Sequence, residues 1–336
     1  MLDIPHSQEF TASEIMIDTI CGLPTKHCRW RTAMPFGIRK ISPLLAALTL
    51  MVTSVLTLAE ETQTVATPRK QPPRLIVRGD DMGFSHSGNE ALIRCFQEGI
   101  ETSIEVLVPS PWFPEAARLL AENPKVDVGV HLALTSEWDN IKWRPLTEAA
   151  SLKDPDGYFF PMIHRNQNYP NRALMEHEWR IDDIEKEFRA QIEMARKHIP
   201  RVSHLSGHMG CDHLNDDVKK LTRKLAKEYG LDIDPTDFGV KSVGLKGSRG
   251  TSEEKIASFI KLLESLEDET TSLFVEHPGL DSPELRGISH IGYENVAADR
   301  QGVTDMWTDE RVRKLIGARG ILLIGYRDLK KNADAK

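Results

Sequence analysis

From residue 74 onward the sequence predicts an α/β fold, a single closed or nearly closed (β/α) barrel. Short apolar runs alternate with polar turns and amphipathic stretches, which is the order of βαβ units. About six or seven such units follow one another without an internal repeat. A chain of 336 residues has room for one large domain of this kind. Unit count and length together favour a barrel over an open sheet with a separate second domain.

The individual elements are predicted from the hydrophobic period and from the turn residues that end each run. The predicted strands are apolar or alternating runs at residues 75–77, 102–108, 126–134, 202–205, 272–276 and 321–324. The predicted helices are amphipathic stretches at residues 89–99, 114–123, 182–198, 216–229, 252–266 and 308–316. Residues 135–170 contain turn signals such as Asp156-Gly157. They are predicted to form a long loop with a binding role.

The composition is that of a globular protein with a net negative charge. Hydrophobic residues make up 40% and charged residues 28%, which excludes a disordered tail protein. There are 43 Lys and Arg against 50 Asp and Glu, a net charge of −7. A basic surface that would capture nucleic acid is therefore not expected, and no nucleic-acid partner is predicted. A homodimer is compatible with the sequence, which does not decide the oligomeric state.

The region before the barrel is predicted to be a secretory signal. Residues 44–58 form an uncharged apolar run that follows Arg39 and Lys40 and ends at the small residues Thr57 and Ala59. The run is shorter than the roughly 18 to 20 residues of a membrane-spanning helix, although a signal anchor is the alternative. We therefore expect export to the periplasm or the medium, without membrane contact after cleavage.

The acidic residues that precede Arg39 are unusual for a signal peptide, so Met34 is interpreted as the true start. The resulting division is an upstream extension at residues 1–33, a signal peptide at 34–59, a linker at 60–73 and the barrel domain at 74–330. Only Cys95 and Cys211 then remain in the domain. Two cysteines are compatible with one disulfide but make no disulfide framework and no metal knuckle.

Several polar residues lie where the predicted strands end, which is where parallel α/β folds collect their chemistry. Asp80-Asp81 follow the first strand, His131 lies within the third, His208 follows the fourth and His277 follows the strand at 272–276. One carboxylate and two imidazoles can hold a divalent ion, and both Zn²⁺ and Mg²⁺ remain open. Each residue also has a structural explanation. The aspartates could cap a helix, and each histidine could serve as an interior, loop or strand-end residue.

The aspartate pair and His277 suggest proton transfer. Adjacent residues at a strand end point in different directions, so one aspartate can bind the ion while the other reaches the water. With His277 as a proton donor, the set is complete for metal-assisted hydrolysis.

Six segments of the chain occur in an order and spacing that resemble a known family. They are DDMGFSHSGNEAL from Asp80, TSIEVLVPSPWFPEA from Thr102, GVHLALT from Gly129, PLTEAASLKDPDGYF from Pro145, HLSGHMG from His204 and EHPG from Glu276. Together they resemble the YdjC-like carbohydrate deacetylases over about residues 74–328. The resemblance implies a deacetylase-type (β/α) barrel, distorted or incomplete. It also implies a divalent metal ion and hydrolysis of the acetamido group of N-acetylated sugars such as chito-oligosaccharides.

The resemblance also implies roles for particular residues. Asp81, His131 and His208 are expected to be the metal ligands, Asp80 the general base and His277 the general acid.

Other positions are less settled by the resemblance. Arg300 resembles a late arginine of the family and is expected to contact substrate, with a solvated helix-start charge as the alternative. The sequence departs from the family pattern around His208. The family commonly has a histidine two positions after this residue and often an aspartate two before it, where this chain has Gly210 and Ser206.

The expected activity is therefore removal of the acetyl group from a small N-acetylated carbohydrate. The alternatives are a metal-dependent hydrolase of another ester class and a non-catalytic glycan-binding protein. A P-loop phosphate cradle is absent from the sequence. Six aromatic residues lie in or near the loops expected at the rim of the barrel, where the strands end and the predicted site lies. They could stack on sugars, although most such residues belong to a loop core. They are Trp112, Trp138, Trp143, Tyr158, Phe159 and Phe160.

Overall fold

A computed structural model of the chain describes residues 70–334. The predicted upstream extension, the signal peptide and all but the last few residues of the linker lie outside the described residues. Within residues 70–334, no helix combines the length and the apolar character needed to cross a lipid bilayer.

The centre of the fold is a parallel sheet that curls without closing. Its strands, within the described residues, are β1 (Arg74–Met82), β2 (Ser103–Val106), β3 (Asp127–Leu132), β4 (His204–Gly207), β5 (Lys241–Val243), β6 (Thr271–Glu276) and β7 (Leu322–Leu323). The order across the sheet is β4-β3-β2-β1-β6-β5, and β7 pairs with the beginning of β1. Because β4 and β5 are the two edges, the predicted barrel is confirmed in its distorted, incomplete form.

Helices follow most of the strands. They are α1 (His86–Glu98), α2 (Phe113–Glu122), α3 (Ile181–His198), α4 (Asp216–Tyr229), α5 (Ser252–Glu264), α6 (Pro283–Arg286), α7 (Val296–Thr308), α8 (Glu310–Arg319) and α9 (Arg327–Asp334). Several of these helices are capped at the N-terminus by a side chain. Ser85, Asn215 and Thr251 each accept a hydrogen bond from a backbone N–H in the first turn of α1, α4 and α5. Strand β5 and helices α6, α7 and α9 are absent from the sequence prediction.

Two apolar cores pack the helices against one face of the sheet, and a smaller apolar cluster lies on the other face. One core packs α1 to α4 and the long loop after β3 against β1 to β4. A second core, which includes Phe259, Phe274 and Trp307, joins α5, α7 and α8 to β1 and β6. Tyr326, just before α9, lies inside the curl and stacks on His204 with ring centroids 3.5 Å apart. Cys95 and Cys211 are both buried, and within residues 70–334 neither forms a disulfide, so the compatible pairing of the two is not formed.

Candidate active site

A bulge at the end of β1 positions the two aspartates. Gly79 pairs with Ile104 and Met82 with Val106, so β1 has one more residue than β2 across this interval. Asp81 takes a left-handed backbone conformation with φ of 72°, which is unfavourable for a residue with a Cβ. The expectation that Asp80 and Asp81 point apart is therefore wrong. Asp80 Oδ2 and Asp81 Oδ1 lie 3.7 and 3.6 Å from the same atom, His131 Nε2, so both carboxylates face the same space.

Asp81, His131 and His208 form a buried cluster whose ligand atoms all lie within 4.8 Å of one another. Asp81 Oδ1 is 3.1 Å from His208 Nδ1 and 3.6 Å from His131 Nε2. Two atoms that bind one ion at about 2.0 to 2.2 Å are separated by roughly 3 to 4 Å, and these distances agree with that spacing. Among the described residues, none makes a hydrogen bond of normal geometry to Asp81 Oδ1. The residues present therefore fit a divalent ion.

His208 is held by a carboxylate on each side. Its Nε2 is 3.0 Å from Glu137 Oε2, in the long loop after β3, and its Nδ1 faces Asp81. Burial lowers the pKa of His208, but the charges of Glu137 and Asp81 outweigh this effect and raise it to about 10. Two buried carboxylates thus make this position electrostatically favourable for a cation.

His131 is held differently, through a hydroxyl group. Its Nδ1 lies 2.8 Å from Ser206 Oγ on β4, and Ser206 in turn donates to Glu105 Oε2 on β2 at 2.6 Å. Burial, followed by the nearby charge of His208, lowers the pKa of His131 to about 3. The His131 imidazole is consequently neutral, which leaves a nitrogen lone pair available for a metal ion.

The environments of the adjacent aspartates shift their pKa values in opposite directions. Burial raises the pKa of Asp80, although the charge of Arg78 opposes this effect. Arg78 Nη2 donates a hydrogen bond to Asp80 Oδ2 at 2.8 Å, and Arg78 Nε lies 2.7 Å from Asp80 Oδ1. Burial acts on Asp81 too, but His208, His277 and Arg300 outweigh it and lower its pKa well below the usual range. Such a divergence separates a proton acceptor from a permanently charged ligand.

His277 and Arg300 both approach Asp81 Oδ2. His277 Nε2 lies 3.9 Å from this oxygen, and its side chain is 41% exposed, so it is accessible from the rim. Arg300 Nη2 donates to the same oxygen at 2.9 Å, while the guanidinium is buried over the rings of Phe84 and Trp138. Arg300 is therefore not a solvated charge. Its Nε and Nη1 have no hydrogen-bond acceptor among the described residues, and substrate contact through them stays a prediction.

Most of the rim aromatics belong to the loop core. The buried ones are Trp138, Trp143, Phe159 and Phe160. Tyr158 is partly exposed beneath the guanidinium of Arg144, and Trp112 is 37% exposed. Trp112 is therefore the most accessible of the six for stacking on a ligand.

All five proton-transfer and ligand candidates predicted from the sequence lie in one site, but three residues that support them are not among the predicted ones. Arg78 holds Asp80, Glu105 reaches Ser206 and Glu137 holds His208. A charged residue within the apolar run SIEV is a signal that could have revealed Glu105, since isolated charges inside a buried strand need partners. Arg78 offers the same signal in β1, whereas Glu137 lies in an irregular loop with no comparable pattern.

The fold and the site together define an α/β deacetylase-type barrel with a buried Asp/His/His candidate metal centre. Comparison with known sequences supports this class. Residues 74–318 match the family described as YdjC-like protein. The chain therefore belongs to the YdjC-like family.

Relatives in this comparison are named carbohydrate deacetylase. The protein of Geobacillus stearothermophilus is 28% identical over 272 residues, which cover 77% of this chain and 99% of that protein. The protein of Thermus thermophilus is 36% identical over 157 residues, or 47% of this chain and 51% of that protein. A crystal structure from Enterococcus faecalis V583, named for cellobiose-phosphate cleavage, shares the fold with a TM-score of 0.61 and 22% identity. The alignment covers 77% of this chain and 99% of that one.

Proposed function

We propose that this protein is a metal-dependent deacetylase that hydrolyses the N-acetyl amide of amino sugars or their oligosaccharides. The observation that carries the proposal is the convergence of Asp81, His131 and His208 within 4.8 Å of one another. Asp80 and His277 lie beside this cluster and supply the two proton-transfer groups that amide hydrolysis needs. The relatives named carbohydrate deacetylase support the substrate class.

Asp81, His131 and His208 would hold the ion, Mg²⁺ or Zn²⁺. When bound, the ion would polarise the acetyl carbonyl and lower the pKa of water from 15.7 to about 7. The proton transfers on either side of the scissile bond would be carried out by two side chains of the protein, Asp80 and His277.

Asp80 accepts the proton of the attacking water. Burial raises its pKa, which strengthens it as a base, and the hydrogen bond and ion pair with Arg78 fix its orientation. The water oxygen forms a bond to the acetyl carbon. His277, on the accessible side of Asp81, donates a proton to the sugar nitrogen as the C–N bond breaks. The products are acetate and the free amino sugar.

The test is acetate release from N-acetylated chito-oligosaccharides by chelator-treated protein to which single divalent ions are added back. We expect release with at least one ion, and a loss of between about a hundredfold and ten-thousandfold in kcat for Asp80→Asn and for His277→Gln. Asp217→Asn, an exposed substitution at the start of α4, is the matched control and should retain activity.

No acetate with any ion, or full activity in both Asp80→Asn and His131→Ala, would remove the proposal. A parallel series of chromogenic esters distinguishes an amide hydrolase from an ester hydrolase on the same barrel. Glycan binding without turnover, unaltered by Asp80→Asn, would instead indicate a non-catalytic protein.

We also propose that the enzyme acts outside the cytoplasm, on the basis of the apolar run at residues 44–58 and the basic residues before it. N-terminal sequencing of the native protein tests this proposal. A mature terminus near residue 60 is the expected result, and a terminus at Met1 or Leu2 would contradict it.

A further inference from the structure

We propose that Glu105 is a positioning residue for His131 and that it acts through the hydroxyl group of Ser206. The inference rests on the proposed metal site and extends it to a residue on a strand that carries none of the ligands. It concerns which nitrogen of His131 presents a lone pair to the cluster.

The register of the sheet places these residues in two adjacent rows. Glu105 on β2 pairs with Gly129 on β3, and Gly129 pairs with His204 on β4. Two residues further along, His131 on β3 pairs with Ser206 on β4. Since residues two apart on a strand share a face, the side chains of both rows project to the same side of the sheet.

Gly129 opens the path by which Glu105 crosses β3. A Cβ at this position would overlap Glu105 Oε2 and would lie 2.6 Å from His204 Nε2. A glycine inside a strand often marks such a close approach of another group. Without a side chain at Gly129, the Glu105 carboxylate reaches from β2 to His204 and Ser206 on β4, at 2.6 Å in each case.

The donors and acceptors then fix the state of His131. An ionised carboxylate can only accept hydrogen bonds, so the single hydroxyl proton of Ser206 points to Glu105. The Ser206 oxygen must therefore accept from His131, whose Nδ1 lies 2.8 Å away. His131 is held as the Nδ1–H tautomer, and the lone pair of its Nε2 faces Asp81 Oδ1 at 3.6 Å. A ligand nitrogen needs that free lone pair, and carboxylates behind ligating histidines commonly set it.

The first measurement uses the metal-free protein. In protein with ¹⁵N-labelled histidine, two-bond ¹H–¹⁵N correlations distinguish the two neutral tautomers. We expect the Nδ1–H form for His131 in the wild type and loss of this preference in Glu105→Gln and in Ser206→Ala. Because this readout needs no ion, it tests the relay separately from the proposed function.

The second measurement is calorimetric titration of the same proteins with Zn²⁺. Each variant should bind about ten- to a hundredfold more weakly than the wild type. The double variant should be no weaker than Ser206→Ala, because both residues act along one path. Ser203→Ala is the matched control. Ser203 directly precedes β4, and its buried hydroxyl group is hydrogen-bonded to His204 Nδ1 rather than to His131. The variant should keep both the Nδ1–H tautomer of His131 and the affinity for Zn²⁺.

An Nε2–H tautomer in the wild type, or unchanged tautomer and Zn²⁺ affinity in the variants, would overturn the inference. If Glu105→Gln does not fold, Ser206→Ala decides alone. A wild type that shows the Nδ1–H tautomer but binds no divalent ion would support the relay and reject the proposed metal site.

Discussion

The two histidines of the candidate metal cluster, His131 and His208, are supported by different parts of the molecule. His131 is held from the sheet, through Ser206 and Glu105 on neighbouring strands, whereas His208 is held from the long loop after β3, through Glu137. Strand register fixes the first support, and loop packing fixes the second. The support of His131, called the strand side below, should therefore be sensitive to changes in side-chain volume. The support of His208, called the loop side, should be sensitive to the contacts that anchor the loop.

Gly129→Ala is expected to have the largest effect, because it adds a methyl group where no space exists on the strand side. The new Cβ would overlap Glu105 and crowd His204. We expect the free energy of unfolding to fall by about 3 kcal/mol, the upper part of the range for overpacked cores. Chemical denaturation measures this change. Gly317→Ala, in α8 with open space around the position, is the control and should be neutral or slightly stabilising. Equal stability of the two variants would contradict the close approach.

Glu137→Gln tests the loop side. Loss of the charge beside His208 Nε2 should weaken binding of a divalent ion by about ten- to a hundredfold, without changing the tautomer of His131. Ion titration and histidine NMR measure the two properties. Asp156→Asn, an exposed substitution in the same loop, should change neither. A shift of the His131 tautomer in Glu137→Gln would show that the two supports are not independent.

The pH dependence of stability tests the charge of Glu105. Burial raises its pKa, but His204, Arg78 and Ser206 outweigh this effect and lower it to about 2. A carboxyl with a depressed pKa stabilises the fold above its unfolded value of about 4.3, and this contribution is lost as the pH falls toward 2. The difference in unfolding free energy between wild type and Glu105→Gln should thus shrink by about 1 to 2 kcal/mol between about pH 5 and pH 3.

Glu101→Gln provides a control of opposite sign for that measurement. Burial, reinforced by Asp80, raises the pKa of Glu101 well above its usual value. The wild type should gain stability relative to Glu101→Gln as the pH falls from neutral toward about 4.3. Parallel pH profiles for the two variants would contradict the assigned charges.

The smallest effect is expected for Glu187→Gln, which loosens the loop anchor. Glu187 on α3 accepts hydrogen bonds from the backbone N–H groups of Leu146 and Thr147 at 3.0 and 3.1 Å. We expect a loss of about 1 kcal/mol and faster amide hydrogen exchange within residues 135–170, with unchanged exchange in β2 to β4. Glu185→Gln, on the same helix but paired with Arg189, is the control. Equally accelerated exchange in the strands would remove the distinction between the two regions.

The parts of the fold with clear periodicity can be predicted from the sequence. Helix α4 occurs at the residues where the sequence predicts it, since its apolar stripe ends at Gly230. Helix α7 escapes prediction because it buries polar residues, Arg300 and Thr304, together with apolar ones, so no clean stripe is visible. Strand β5 is three residues long and largely exposed, which leaves no hydrophobic signal.

The site shows the same division between local and non-local information. Asp80, Asp81, His131, His208 and His277 can be predicted because each lies in or near a strand end, and parallel strands bring those ends together. The bulge in β1 cannot be predicted from the sequence, since it depends on how β1 pairs with β2. Glu105 and Glu137 cannot be assigned either, because their roles depend on partners 101 and 71 residues away in the chain.

The most direct test of the central claim is anomalous X-ray diffraction from crystals equilibrated with Zn²⁺, recorded at the zinc edge. We expect one strong peak per chain, at about 2.0 to 2.2 Å from Asp81, His131 and His208. A peak held by other residues, or no peak at saturating Zn²⁺, would contradict the claim that these three side chains share one ion.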